Sequence, residues 1–418
     1  MIRELFPRRQ DYDLKKRTFL SDLIAGVTVA VVALPLALGF GITSGASAAA
    51  GLTTAVIAGF LAAIFGGSHY QVSGPTGAMT VILVPIINKY GITALVPLGL
   101  LAGVMVIFMA FLRFGATINR IPWGVVEGFT VGIACVIALQ QIPLTFGVPK
   151  ASGDRTIPIA FATLMNALDL GIHWQSIGIV VLTLVVKFTF PKLVHHFKFR
   201  MHIPASFVAI VVALVVVKIG SLSLQTIGEI PRSVGSWRGN VIELGELGHL
   251  LWPAFIVAFL CAVESLLSAR VADGMVHGQG DSRFSPDREL FGQGVATAIS
   301  SLFGGLPATG AIARTSVNVR SRAKTRMASI VHACVLLFIA LVAAPWVSQI
   351  PAAAIAGVLI GTSYRILNPA ALRESLQTTK GEAAVLIITA VATVAIDLIW
   401  GIGIGIFLYL VLRKTHKI

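Results

Sequence analysis

Charge is scarce in this chain. Asp, Glu, Lys and Arg together make up 12% of its 418 residues, against about 25% in a soluble domain. That shortage leaves no room for a soluble domain of any size, and 56% of the residues are hydrophobic. Cysteine is almost missing: Cys135, Cys261 and Cys334 lie far apart in apolar runs. They read as small packing residues and imply neither a disulfide nor a metal. His195, His196, His202, His249, His277 and His332 show no metal-ligand spacing. A G-x-x-x-x-G-K-[ST] loop is absent, which argues against a pump driven by ATP. No nucleophile–base constellation is present, so neither an enzyme nor a cofactor is expected. The basic start runs into a long apolar span with no small-residue cleavage site, which argues against a secretory signal peptide.

What the chain does have is apolar stretches near the ~20 residues that cross a bilayer, recurring from end to end. They read as an all-α polytopic membrane protein of about fourteen segments. The first lies at about 23–43 and contains Pro35, the second at about 48–65, and the eighth at about 252–271. Residues 143–174 read as a loop with a short helical piece, and 273–288 as a polar loop. Residues 1–20 form a basic cytoplasmic lead-in. A polar linker at 221–249, placed outside the cell, separates residues 21–220, with segments one to seven, from residues 250–418, with segments eight to fourteen. An odd number per half turns the two halves over, which is inverted-repeat topology.

The net charge of +14 agrees with this arrangement. With both termini inside, Lys89, Lys150, Arg155, Lys218, Arg232 and Arg238 fall outside. Lys187 and Arg314 lie within segments, and the rest of the 32 basic residues fall inside. That is the positive-inside bias. The basic residues sit in short loops, not on soluble elements interleaved with aromatics, so no nucleic-acid partner is expected. The chain is placed in the cell inner membrane, multi-pass, with both termini cytoplasmic.

Two polar interruptions resemble each other across the chain: Val72-Ser73-Gly74-Pro75-Thr76-Gly77-Ala78-Met79-Thr80, and Gly304-Gly305-Leu306-Pro307-Ala308-Thr309-Gly310-Ala311-Ile312-Ala313-Arg314-Thr315. Each passes from small residues and a proline into Thr-Gly-Ala and then a helix-like stretch. Non-helical backbone at membrane depth needs protein or a water-filled cavity around it, and a matched pair of such breaks points to a transporter binding site. If Pro75–Met79 and Ala308–Ile312 are helix starts, each offers unpaired N–H groups and partial positive charge. Two such ends would cradle a small inorganic or carboxylate anion. Thr76, Gly77, Ala78, Gly310, Ala311 and Ile312 are the candidate contacts, and Thr76 and Thr309 can cap or touch the ligand.

Charge embedded in the membrane costs ~2.5–3.5 kcal/mol or more, so such residues are functional candidates. Arg314, just inside the second half-helix, would help neutralise the anion or pair with a carboxylate. Glu264, mid-way along the eighth segment, is that carboxylate and a candidate proton carrier or partner for a cation. Ser268 lies four residues on, on the same helix face. Glu127 is read as favouring a helix N-terminus, and Asp397 as an interfacial residue.

The two interruptions, together with Val263-Glu264-Ser265-Leu266-Leu267-Ser268 and Val271-Ala272-Asp273-Gly274-Met275, resemble the sulfate permease family of anion transporters. Its animal relatives are the anion exchangers of solute-carrier family 26. The resemblance implies a seven-plus-seven inverted repeat like that of uracil permeases, with half-helices three and ten meeting at the midplane. A core domain of segments 1–4 and 8–11 would move elevator-fashion against a gate domain of segments 5–7 and 12–14. It implies Phe40 as a further anion contact, Glu264 with Ser268 as the site of H+ or Na+, and a homodimer. The function implied is coupled uptake of bicarbonate, a C4-dicarboxylate or sulfate, or else an uncoupled channel or exchanger on the same fold. Many members carry Pro-Gln where this chain has Pro35-Leu36, so one polar anion contact is missing and sulfate specificity does not follow. The family's usual C-terminal domain, shared with anti-sigma-factor antagonists, is not found before Ile418.

Overall fold

The computed structural model describes residues 5–8, 11–13, 15–118, 121–153, 155–196, 204–230, 232–239, 247–277, 284–377, 379–396 and 398–414. Asp397 and His202 lie outside them. The chain is mostly helical and folds into two compact units that it enters alternately.

The first unit comprises Met1–Asn119, Arg200–Phe207 and Thr226–Ile350. Its helices are α1 (Lys16–Thr43), α2 (Ala48–Phe65), α3 (Gly77–Tyr90) and α4 (Leu95–Phe111). In the second unit lie α5 (Trp123–Leu139), α6 (Thr156–Leu170), α7 (Trp174–His196) and most of α8 (Ala205–Ile219). The chain returns to the first unit for α9 (Leu247–His277), α10 (Pro286–Leu302), α11 (Ile312–Arg320) and α12 (Met327–Val342). It finishes in the second with α13 (Ala352–Leu367), α14 (Lys380–Ala395) and α15 (Leu398–Lys414). Two two-residue strands, β1 (Ser73–Gly74) before α3 and β2 (Thr309–Gly310) before α11, form one antiparallel pair in the first unit.

Local chemistry sets the helix ends. Ser47 caps α2 by accepting from the Ala50 N–H at 3.0 Å, which satisfies one orphan donor of the first turn. Thr76 does the same for α3 through the Met79 N–H. Pro35 is carried inside α1 without ending it.

The first unit packs on small residues. α4 and α10 meet where a Cβ on Gly103 would stand 2.6 Å from the Gly294 carbonyl, so only glycine lets the backbones approach this closely. Ala58, Ala62, Ala296 and Ala308 form one buried cluster of α2, α10 and the chain before β2. Within the second unit, Ile179, Val180, Ala213, Ala353, Ala354 and Ala356 form the core of α7, α8 and α13. Lys187 is fully buried there, its Nζ donating to the Val358 carbonyl at 2.5 Å and to Thr362 Oγ1 at 2.7 Å.

Four expectations change. The stretch 143–174 is mainly helical: a turn at Ile142–Phe146 and the fifteen-residue α6 replace the expected loop. The eighth segment is longer than its apolar part, since α9 runs 31 residues and carries Asp273 inside it, buried and accepting from the Phe284 N–H. Glu127 lies beyond the first turn of α5 and accepts from Ser375 Oγ at 2.8 Å, so its role is a side-chain contact. Cys334 is exposed on α12 and is no packing residue, unlike the buried Cys261. Six helical stretches among the described residues are long and apolar enough to cross a membrane: 16–43, 48–65, 92–111, 123–146, 174–196 and 247–277.

Candidate functional site

All ten candidate residues lie in the first unit, and the strand pair gathers most of them. Ser73 stands opposite Gly310 and Gly74 opposite Thr309. Each strand leads almost at once into a helix, α3 from Gly77 and α11 from Ile312. Both helix starts are thereby fixed to one short bridge. Thr315 N bonds to the Ala311 carbonyl, so the N–H groups of Ile312, Ala313 and Arg314 have no acceptor within α11. In α3, Thr80 N bonds to Thr76 O, and Gly77 and Ala78 are the corresponding donors. Not every candidate N–H is free: Gly310 donates to Ser265 Oγ at 3.0 Å and Ala311 to the Val72 carbonyl at 3.0 Å. The Ala311 bond belongs to the bridge and the Gly310 bond ties β2 to α9, leaving Gly77, Ala78 and Ile312 as the open ends.

A second layer comes from α9. Glu264 is buried, and its Oε2 accepts from Thr76 Oγ1 at 2.8 Å and from Thr309 Oγ1 at 2.7 Å. The two hydroxyls are 3.2 Å apart. One carboxylate oxygen thus joins Thr76, the cap of α3, to Thr309 in β2, three residues before α11, where Ala311 holds the cap position and no side chain caps the helix. Ser268 is one turn on and donates to Thr315 Oγ1 at 3.1 Å, and Thr315 in turn accepts from the Val72 N–H. Phe40 on α1 is buried, its carbonyl 3.5 Å from Thr80 Oγ1 on α3.

Arg314 is 1% exposed. Its Nη2 donates to the Pro75 carbonyl at 2.5 Å, tying α11 to the chain just before α3. It makes no ion pair with Glu264 within 4 Å, so the alternative of a direct pair is set aside. The carboxylate goes to the two threonines instead. A Cβ at Gly310 would collide with the Gln71 amide, and one at Gly74 would stand 2.6 Å from Arg314 Nη1, so the bridge admits only glycine at these positions.

Several residues that hold the site escape a reading of the sequence. Ser265 and Thr315 are direct neighbours of Glu264 and Arg314, and a polar stripe at 261, 264, 265 and 268 of an apolar helix was the available signal. Gln293 donates to Ser73 Oγ at 2.6 Å and to Glu289 Oε1 at 2.8 Å. Glu289 also accepts from the N–H groups of Gly67 and Ser68 and from Gln71 Nε2. Arg326 donates to the Gly66 carbonyl. Together these fix the loop that enters β1. Beyond them the N-terminal segment is pinned by a 2.7 Å Asp11–Arg288 ion pair and by Phe6 against Phe65 and Phe291. Burial alone would raise the Asp11 carboxyl, but the hydrogen bonds from Arg288 and the Arg8 N–H, with the Arg326 charge, hold it below the usual range.

Paired helix starts, a buried carboxylate between them and a buried arginine behind them define an anion-handling membrane protein. Residues 19–389 match the family model described as the sulfate permease family. The putative sulfate transporter YvdB of Bacillus subtilis is 35% identical over 414 residues, spanning 96% of this chain and 74% of that protein. The bicarbonate transporter BicA of Picosynechococcus is 31% identical over 94% of this chain and 69% of its own length. The transmembrane domain of a cyanobacterial BicA superposes with a TM-score of 0.80 at 28% identity, covering 93% of this chain and 99% of that domain. SLC26A9 shares the fold, with a TM-score of 0.84 at 16% identity over 97% of this chain and 67% of its own. The chain belongs to the sulfate permease family and is a membrane anion transporter. Its relatives are transporters, not enzymes.

Proposed function

We propose that the protein is a secondary active transporter that takes up a small oxyanion or carboxylate, with H+ or Na+ as the driving ion. Bicarbonate and sulfate are both candidates, because two BicA transporters are 31% and the putative sulfate transporter YvdB 35% identical to this chain. A C4-dicarboxylate is the third. The observation that carries the reading is the β1–β2 pair, which holds the N-termini of α3 and α11 in one buried place. Orphan N–H groups and the helix dipoles favour an anion there. Gly77, Ala78 and Ile312 would contact it, with Phe40 beside them, and Arg314 would supply positive charge from its seat on the Pro75 carbonyl.

Glu264 is the coupling group in this reading. Its carboxylate joins Thr76, the cap of α3, to Thr309 in the strand that leads into α11, so a proton or Na+ arriving there would change how both helix starts are held. Ser268 supports this by fixing Thr315. The site-bearing unit would act as the moving body of an elevator in an inverted repeat of about fourteen segments, working in the inner membrane as a homodimer with both termini cytoplasmic. Uptake into proteoliposomes tests the reading: labelled bicarbonate, fumarate and sulfate are offered in turn with an inward proton gradient, an inward sodium gradient or neither. Uphill accumulation of one anion under one gradient is expected. Equilibration indifferent to both gradients would replace coupling by a channel or exchanger mode, and no uptake of any of the three would defeat the proposed substrates.

A further inference from the structure

His332 takes no part in the site described above, yet it is one of the most enclosed polar groups in the first unit. It lies on α12 with no exposure; the Ser329 backbone one turn back is within reach of the ring, but neither ring nitrogen has a well-aligned hydrogen-bond partner among protein atoms. Arg314 Nη1 is also buried without a protein partner, although Nη2 is anchored. Both groups border the same small patch of α2 and β1. A Cβ on Gly59 would stand 3.7 Å from His332 Nδ1 and 3.3 Å from the Ser73 carbonyl oxygen. One on Gly74 would stand 2.6 Å from Arg314 Nη1 and 3.3 Å from the Cα of Ala55. Ala55 and Gly59 are one turn apart on α2, hence on one face. The Ser73 carbonyl is not taken by the residue opposite it, because the Gly310 N–H goes to Ser265.

We propose that a buried water occupies this patch, joining Arg314 Nη1 to a ring nitrogen of His332 and to the Ser73 carbonyl, and that His332 acts through it as a positioning residue for Arg314. The chemistry balances donor for acceptor. Nη1–H donates to the water oxygen, one water hydrogen goes to the acceptor nitrogen of neutral imidazole, and the other goes to the Ser73 carbonyl. Three partners are the usual complement of a buried water, and leaving these groups unpaired in a dry interior is costly. The guanidinium is then held at two points, Nη2 on Pro75 and Nη1 on the water. Its charge cannot swing away from the starts of α3 and α11. The positioning role rests on the proposed anion site; the water itself does not.

Two readouts separate these. The first is the nitrogen magnetic resonance of the His332 ring in membranes, comparing wild type with Gly59→Ala, whose added methyl enters the patch at tolerable distances. A hydrogen-bonded acceptor nitrogen is expected in the wild type and is lost in Gly59→Ala; free-imidazole signals in the wild type would overturn the water. The second is uptake kinetics with whichever of bicarbonate, fumarate and sulfate the wild type accumulates. His332→Leu and Gly59→Ala are expected to raise KM about tenfold, the equivalent of one lost hydrogen bond to a charged group, with Vmax within about twofold. His332→Gln, which can still bond the water, is expected to recover most of the loss. Wild-type KM in both His332→Leu and Gly59→Ala, or a fall in Vmax at unchanged KM, would overturn the positioning role. A wild type that takes up none of the three anions would count against the proposed transport site alone, since the ring signal still decides the water.

Discussion

A single carboxylate oxygen of Glu264 receives the hydroxyls of Thr76, which caps α3, and of Thr309, in the strand before α11. Glu264→Gln keeps the shape but removes the charge and the titration. Gradient-driven accumulation is expected to fall to the equilibrium level while counterflow of the same anion persists; full accumulation in that variant would remove Glu264 from coupling. Away from the membrane-spanning helices, Asp11 gives a pH signature. Its folded carboxyl titrates below its unfolded value, so its contribution is complete above the unfolded value of about 3.9 and is lost as pH falls through the folded one. Asp11→Asn should lower the melting temperature in detergent by several degrees at pH 7, and the gap should begin to narrow only below about pH 4. At this scale the sequence showed Glu264 and Arg314, because charge in the middle of an apolar run stands out. It did not show Glu289, Arg326 or Asp22, which lie near segment ends, where charge costs little. Their burial comes from long-range contacts, such as Asp22 accepting from Thr325 Oγ1 and from the N–H groups of Lys324 and Thr325, that leave no local pattern.

Elements meet here through glycine and alanine, so added volume should act at specific crossings. Gly294→Val would drive a branched side chain into the Gly103 backbone and should cost roughly 1–3 kcal/mol as overpacking, read as a lower melting temperature; an unchanged value would contradict the close α4–α10 contact. The helix breaks were legible because Pro, Gly and Thr sit together inside apolar runs, and α2 ends where composition says it should. The pairing of β1 with β2 was not, since two-residue strands 236 positions apart carry no periodicity of their own. The helical piece expected within 143–174 proved longer than read, a fifteen-residue α6, because Pro158 inside it and Gly153 and Gly171 beside it made the helix look short.

For the whole chain, composition alone placed it in the membrane, and the motif at 305–315 placed it in its family. Which anion it moves depends on sub-ångström placement of donors, which no residue pattern encodes. The inside–outside assignment follows from basic residues and is open to labelling. In a cysteine-free background, Lys150→Cys should react with a membrane-impermeant maleimide from outside and Lys324→Cys only after the membrane is opened; the reverse pattern would invert the topology.

Backbone N–H groups are the central anion contacts of the proposed site, and proline can remove them one at a time. Gly77 and Ile312 are first helical positions, where proline is tolerated because that N–H has no helical acceptor. The residues before them, Thr76 (φ −128°, ψ 161°) and Ala311 (φ −98°, ψ 110°), already have the extended backbone that proline demands. The decisive measurement is the affinity of the transported anion for Gly77→Pro and Ile312→Pro beside the wild type. Loss of one N–H to a charged ligand is worth about 1.5–3 kcal/mol, so each variant should bind roughly ten- to a hundredfold more weakly while melting near the wild-type temperature. Two folded variants that bind the anion as tightly as the wild type would contradict the placement of the anion at these helix starts.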